Sequence, residues 1–317
     1  MLNKMNGPSV GQKSQSLQII LDNIYKKSPF QKKRIEKYLS QRDEHYFTEA
    51  EEFYRDLLRY LKGANITLEY VVEAYIKFCQ DTVMHQIDFM KTGKYPMQSF
   101  AKAFEQVYDN DEEMSPYMLG LAVSLFLWKQ HYEIFKFFSR HVAERRRTIG
   151  SYLEIGPGHG LYLKKALGYC HDDVRISMVD ISKTSIRMTC SVINYFYPHR
   201  KHMDCHVGNI LELSLDQYFD FITAGEIIEH LEKPEEFLRI IKKLLAPEGS
   251  VFLSTCINAS EVDHIYQFES VEEITGMIER SGFKTADELT LPSDEVSLEE
   301  AVEKKLSVNY CALLNHR

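Results

Sequence analysis

The chain has 317 residues, of which 44% are apolar and 26% charged, so it can bury one large core or two modest ones. Thirty-eight basic against 46 acidic residues leave a net charge of −8, a surface that repels nucleic acid and anionic membranes. Six scattered cysteines with no C-x-x-C pair exclude a zinc ribbon or disulfide framework and suit a reducing cytoplasm, the expected location.

Residues 1–15 are polar, lack the apolar core of a signal peptide and read as disordered. From residue 16 to 147 the pattern is helical, with apolar residues recurring at three and four places, as in Phe53, Leu57, Leu58 and Leu61. Helices are predicted over 17–26, 29–42, 48–61, 68–91, 98–107 and 115–147, the last with a break near Gln130 or Ser139. Linkers such as Gly63-Ala64-Asn65 and Gly93-Lys94-Tyr95-Pro96 separate them. The most apolar stretch, Tyr117–Trp128, is too short to span a bilayer and reads as a buried helix. Tyr117, Trp128, His131, Tyr132, Phe135, Phe137 and Phe138 follow helical spacing and read mostly as core, with Trp128 or Tyr132 free to line a pocket. Arg145-Arg146-Arg147 closes this region at a helix end, where positive charge complements the dipole.

From residue 148 the texture changes to alternating strand and helix. Strands are predicted at 150–155, 175–181, 203–208, 219–225 and 249–257, helices at 160–169, 183–196, 235–246 and 270–281, and two late strands near 285–291 and 307–315. Such alternation means a mostly parallel sheet covered on both faces. The first strand runs through Glu154 into Gly156-x-Gly158-x-Gly160, with a helix starting at Leu161. A glycine turn between strand and helix lets a ligand lie against the backbone. The second strand ends in Asp180, a bidentate acceptor suited to a pair of ribose hydroxyls. A dinucleotide fingerprint, G-x-G-x-x-G, competes, but here the third glycine comes one place early and position 161 is leucine.

Glu154, the three glycines and Asp180 together resemble motifs I and II of the class I S-adenosylmethionine (SAM) methyltransferases, over residues 148–317. The resemblance implies a doubly wound, mostly parallel seven-stranded α/β sheet whose last strand inserts antiparallel. It implies SAM as cofactor. Gly156, Gly158 and Gly160 would lie along its methionine part, Glu154 would meet its ammonium, and Asp180 its ribose. Ile181 would pack on adenine. Asn209 and Ile210, where the family often has aspartate and an apolar residue, would meet the adenine edge and ring. Gly225, at the end of the fourth strand, would face the methyl group. The helical 16–147 segment reads as a cap over the substrate or a homodimerisation domain.

Gly225-Glu226-Ile227-Ile228-Glu229-His230-Leu231 follows the fourth strand, and Asp263-His264 follows the fifth. On a helical turn, residues three apart point the same way, so Glu226, Glu229 and His230 can converge on one cation with His264 as a fourth ligand. The pattern resembles two cation-using methyltransferase groups, one acting on the 2′-hydroxyl of small RNAs and one on catechol-like oxygens in ubiquinone biosynthesis. Magnesium, manganese, zinc and iron all suit such a donor set. Without a metal, His230 or His264 would serve as general base for a hydroxyl acceptor, ahead of Tyr266 and of a solvated His159.

The sequence thus points to SAM-dependent methyl transfer to an oxygen or nitrogen of a small molecule, with nucleic acid and membrane disfavoured as partners by charge. A metal-dependent RNA 2′-O-methyltransferase and a non-catalytic SAM-binding partner or sensor are the alternatives.

Overall fold

The computed structural model describes residues 15–97, 99–200, 203–293 and 296–317; the disordered stretch predicted for 1–15 lies, but for Gln15, outside them. Seven helices come first: α1 (Gln15–Lys27), α2 (Gln31–Leu39), α3 (Glu44–Gly63), α4 (Leu68–Thr92), the short α5 (Phe100–Ala103), α6 (Asp111–Ser124) and α7 (Lys129–Arg145). Side-chain caps fix the starts of the long ones: Asp43 accepts from the Tyr46 amide and Thr67 from the Tyr70 amide. Gly93 ends α4 in the left-handed conformation at φ 67°.

Two helical expectations are corrected. The segment predicted as 115–147 breaks earlier, at residues 125–128, where Trp128 turns extended (φ −120°, ψ 129°). The helix predicted over 98–107 is one α turn followed by a π turn, Phe104–Tyr108, which carries Tyr108 toward the sheet. Arg146 sits at the C-cap of α7 and donates to the Ala143 carbonyl at 2.7 Å, as its dipole role requires.

The second half alternates β1 (Ser151–Ile155), α8 (Leu161–Leu167), β2 (Arg175–Asp180), α9 (Lys183–Phe196), β3 (Met203–Val207), β4 (Phe219–Gly225), α10 (Pro234–Leu244), β5 (Leu245–Ile257), α11 (Val271–Arg280), β6 (Phe283–Pro292), α12 (Leu298–Glu303) and β7 (Val308–His316). The seven strands form one sheet in the order β3-β2-β1-β4-β5-β7-β6. β7 pairs antiparallel with both β5 and β6, and the other neighbours are parallel. The expected fold class is therefore the observed one. α12 was not expected, although Ser297 and Glu300 spell its cap: the serine hydroxyl accepts from the Glu300 amide.

Alternation along the strands decides which face sees which helices. Leu153, Ile155, Ile222 and Leu253 face the core closed by α10 and α11. Tyr152, Phe221 and Phe252 face the other side and share one hydrophobic core with α1, α3, α4, α6 and α7. Phe138 of α7 makes that join, with ring centroids 5.1 Å from Phe252 and 4.8 Å from Tyr162. This packing roofs the carboxyl ends of the central strands with helices.

Candidate active site

β1 delivers Glu154 to the helical side of the sheet and then turns through glycine. Gly156, Gly158 and Gly160 all have positive φ (64°, 54° and 74°), a region that L side chains rarely adopt. At Gly156 a Cβ would run into the Ile227 side chain, so the bareness of this glycine makes room for that residue of the loop after β4. Gly160 has a different task. A Cβ there would lie 2.9 Å from the Thr189 Cα, so its bareness lets α8 pack on α9.

Glu154 is 2% exposed and accepts a 2.7 Å hydrogen bond from Tyr152, whose hydroxyl also pairs with Thr223. Burial pushes its carboxyl up to about 8, against the pull of the Tyr152 hydrogen bond. Asp180 accepts from the Ser182 amide at 2.8 Å and from the Ser185 hydroxyl. Burial raises it to about 6, partly offset by those bonds. Ser182, not Asp180, caps α9. The Gly158 and Ile181 amides also donate to the Asp180 carboxylate. Asn209 turns its Oδ1 onto the Leu211 amide at 3.0 Å, with Ile210 buried beside it.

After β4 the chain departs from the expected helical turn. Glu226 sits at φ 51°, a left-handed conformation for a non-glycine residue, with its amide tied to the Ser254 carbonyl (3.0 Å) and hydroxyl (3.1 Å). One turn of 3-10 helix, Ile228–His230, follows. Glu229 is wholly buried. It accepts from Thr255 at 2.8 Å, and its carbonyl takes the Ile265 and Tyr266 amides at 2.9 and 2.8 Å. It clips the loop after β5 in place. Burial and the neighbouring Glu226 carboxyl push Glu229 well up, and burial likewise raises Glu226.

His230 and His264 meet edge to face, ring centroids 4.8 Å apart. Carbonyl oxygens only accept, so His264 Nδ1 donates to Ala259 (2.8 Å) and His230 Nδ1 to Asp263 (3.2 Å). Both histidines therefore carry their free lone pair on Nε2. Burial and the His230 charge lower His264 to about 4. Asp263, 2% exposed, has Oδ2 3.5 Å from His230 Nδ1 and accepts the Tyr108 hydroxyl at 2.9 Å. Burial alone would raise this carboxyl, but the two imidazoles and Tyr108 outweigh it and hold it below its usual range.

One cavity of about 500 Å³ joins these groups. Glu154, Gly156, Gly158, Asp180, Ile181, Asn209, Ile210, Gly225, Glu226, His230 and His264 line it; Gly160 and Glu229 do not. His159, expected in solvent, is instead buried on its wall and lowered by burial to about 4. Trp128 lines the cavity, whereas Tyr132 lies in the helical core and binds Glu49. Tyr266 donates to Glu273, away from the cavity. The helices add Phe78, Tyr108 and Tyr117, residues with no sequence signal beyond helical periodicity. No lysine or arginine is among the described lining residues.

Three of the four residues named for a cation fall into two donor groups that share His264. Among the described residues, donor atoms come within 4.8 Å of one another in Glu229, Cys256 and His264, and in His230, Asp263 and His264. Glu226 belongs to neither. No described helix is long and apolar enough to cross a membrane.

The methyltransferase-domain family matches residues 127–288. A ubiquinone biosynthesis O-methyltransferase of Coxiella burnetii is 26% identical over 189 residues, 52% of this chain and 76% of that protein. The mitochondrial counterpart from Dictyostelium discoideum is 31% identical over 77 residues, only 24% of either chain. Among solved structures, the N-methyltransferase NodS of Bradyrhizobium japonicum, in complex with S-adenosylhomocysteine, is similar over 68% of this chain and 98% of its own (TM-score 0.50, 16% identity). The mitomycin 7-O-methyltransferase MmcR is similar over 79% and 70% (TM-score 0.51, 11% identity). With the family matched over half the sequence and the sheet in its strand order, the chain belongs to the class I SAM-dependent methyltransferases, with a helical region in front of the catalytic fold.

Proposed function

We propose that the protein methylates an oxygen or nitrogen of a small molecule held in the cavity between the glycine turn and helices α4 and α6. The observation that carries this reading is the continuity of that cavity. One wall is the strand-end set of Glu154, Gly156, Asp180 and Gly225; the other is aromatic and helical. The relatives named above as O- and N-methyltransferases support the acceptor atoms. A cavity with no lysine or arginine among its described lining residues favours a small acceptor over an RNA backbone.

The buried acids suit SAM. Glu154, ionised, meets its ammonium; Asp180 accepts from both ribose hydroxyls; Ile181 and Ile210 flank adenine, with Asn209 at its edge. Gly156 and Gly158 leave room for the methionine part, and Gly160 serves by letting α8 pack. When bound there, SAM would supply an activated methyl on sulfur for in-line transfer to an acceptor lone pair, the carbon–sulfur bond breaking as the new bond forms. His230 takes the acceptor's proton on Nε2, its Nδ1 being held by the Asp263 carbonyl. His264, lowered to about 4, stays neutral at pH 7 and shapes the wall. Among the described residues no single ligand set unites Glu226, Glu229, His230 and His264.

The test is transfer of labelled methyl from SAM to a panel of small hydroxyl and amine compounds and to RNA, with and without chelator. Labelled small molecules support the reading. Transfer only to RNA, or binding of S-adenosylhomocysteine with no transfer at all, overturns it.

A further inference from the structure

The cavity holds more buried acid than its cofactor end uses. Glu226, Glu261 and Asp263 line it beyond Glu154 and Asp180; Glu261 pairs with His85 at 3.4 Å, and no described lining residue is a lysine or arginine to balance the other two. Two of their oxygens, Asp263 Oδ1 and Glu226 Oε1, are buried with no hydrogen-bond partner. A desolvated, unpartnered carboxylate oxygen is costly unless a ligand completes it.

We propose that the acceptor end of the cavity is a cation subsite, in which Asp263 Oδ1 and Glu226 Oε1 hold the protonated amine of the small-molecule substrate. Asp263 is pre-set for this. Its other oxygen is occupied by Tyr108, brought down from the helical region at 2.9 Å, which fixes the carboxylate plane. The aromatic rings of Tyr108, Tyr117 and Trp128 line the same cavity. Faces of this kind accept an ammonium as readily as an apolar stem. Anionic substrates meet only like charge. The inference rests on the methyltransferase reading above and narrows its substrate class.

The experiment uses the full chain saturated with S-adenosylhomocysteine. Matched probes differ only in charge: tyramine, tyrosol and 4-hydroxyphenylacetate, and tryptamine, tryptophol and indole-3-acetate. Calorimetric titration is expected to show at least one amine binding tenfold or more tighter than its alcohol, with no binding of the acids, since one charge-assisted hydrogen bond is worth that factor. Asp263→Asn should erase the preference while S-adenosylhomocysteine binds as before, and Glu226→Gln should reduce it. A second arm titrates Mn²⁺ and measures bound metal. Micromolar Mn²⁺ binding that Asp263→Asn abolishes, with no amine preference, overturns the amine in favour of a metal ion. Equal binding of amine and alcohol, or no binding of any amine or of Mn²⁺, overturns the cation subsite itself. Failure to bind S-adenosylhomocysteine would instead strike the underlying reading.

Discussion

Glu154 is a buried acid on the cavity wall, raised to about 8, and is proposed above to meet the ammonium of SAM. At pH 7 such a group holds its proton in about nine of ten unliganded molecules. An ammonium docking on it requires the carboxylate, so the proton must leave. Binding of S-adenosylhomocysteine at pH 7 should therefore release about 0.9 proton, and about half a proton at pH 8. The ionised fraction rises from about 0.1 to about 0.5 over that unit, so affinity should tighten roughly fivefold, about 1 kcal/mol. Calorimetry in buffers of different ionisation enthalpy reads the proton count directly. Methylthioadenosine, which lacks the amino acid, is the control and should release almost none. Glu154→Gln should bind weakly with a flat pH profile. Release below about 0.3 proton at pH 7, or equal release with methylthioadenosine or with Glu154→Gln, would refute the assignment.

Asp180→Ala should weaken S-adenosylhomocysteine about a hundredfold or more, from two lost charge-assisted hydrogen bonds. In the wild type, affinity should fall as pH drops through about 6, where Asp180 takes up its proton; calorimetric titration checks both. His230→Gln should lower kcat for a hydroxyl acceptor by about 10²–10⁴ and leave S-adenosylhomocysteine affinity intact, in a steady-state assay once an acceptor is found. Gly160→Ala should cost about 2 kcal/mol or more, from its φ of 74° and the Thr189 backbone 2.9 Å away, and lower Tm by several degrees in a thermal melt. Burial raises Glu154 above its unfolded value, so its contribution to stability is full below about pH 4.5 and is lost as pH rises through about 8. Denaturant melts of the unliganded protein should show a shallower fall over that window in Glu154→Gln.

The cofactor end of the site was legible because it is local. A short apolar strand, three glycines and a terminal acid lie within 30 residues, and parallel strand–helix alternation brings Glu154 and Asp180 to adjacent strand ends in register. Sequence spacing there is nearly spatial spacing. The late apolar run marked the last strand, and the family resemblance supplied its antiparallel direction. Backbone conformation after β4 was not legible. The Glu-x-x-Glu-His spacing suggests a helical turn; instead the left-handed Glu226 and the single 3-10 turn put Glu226 on the cavity wall and Glu229 behind it, the two carboxyls still meeting. Tyr108 on Asp263 joins residues 155 apart in sequence, and His159 is buried only because helices roof the glycine turn. Periodicity marks which helix face is apolar, but not which partner it meets. The sequence by itself therefore determined the α/β sheet, the glycine turn and the two acids proposed for the cofactor. Only the tertiary structure decided the acceptor end, because its walls come from helices, a π turn and two loops that no local rule relates.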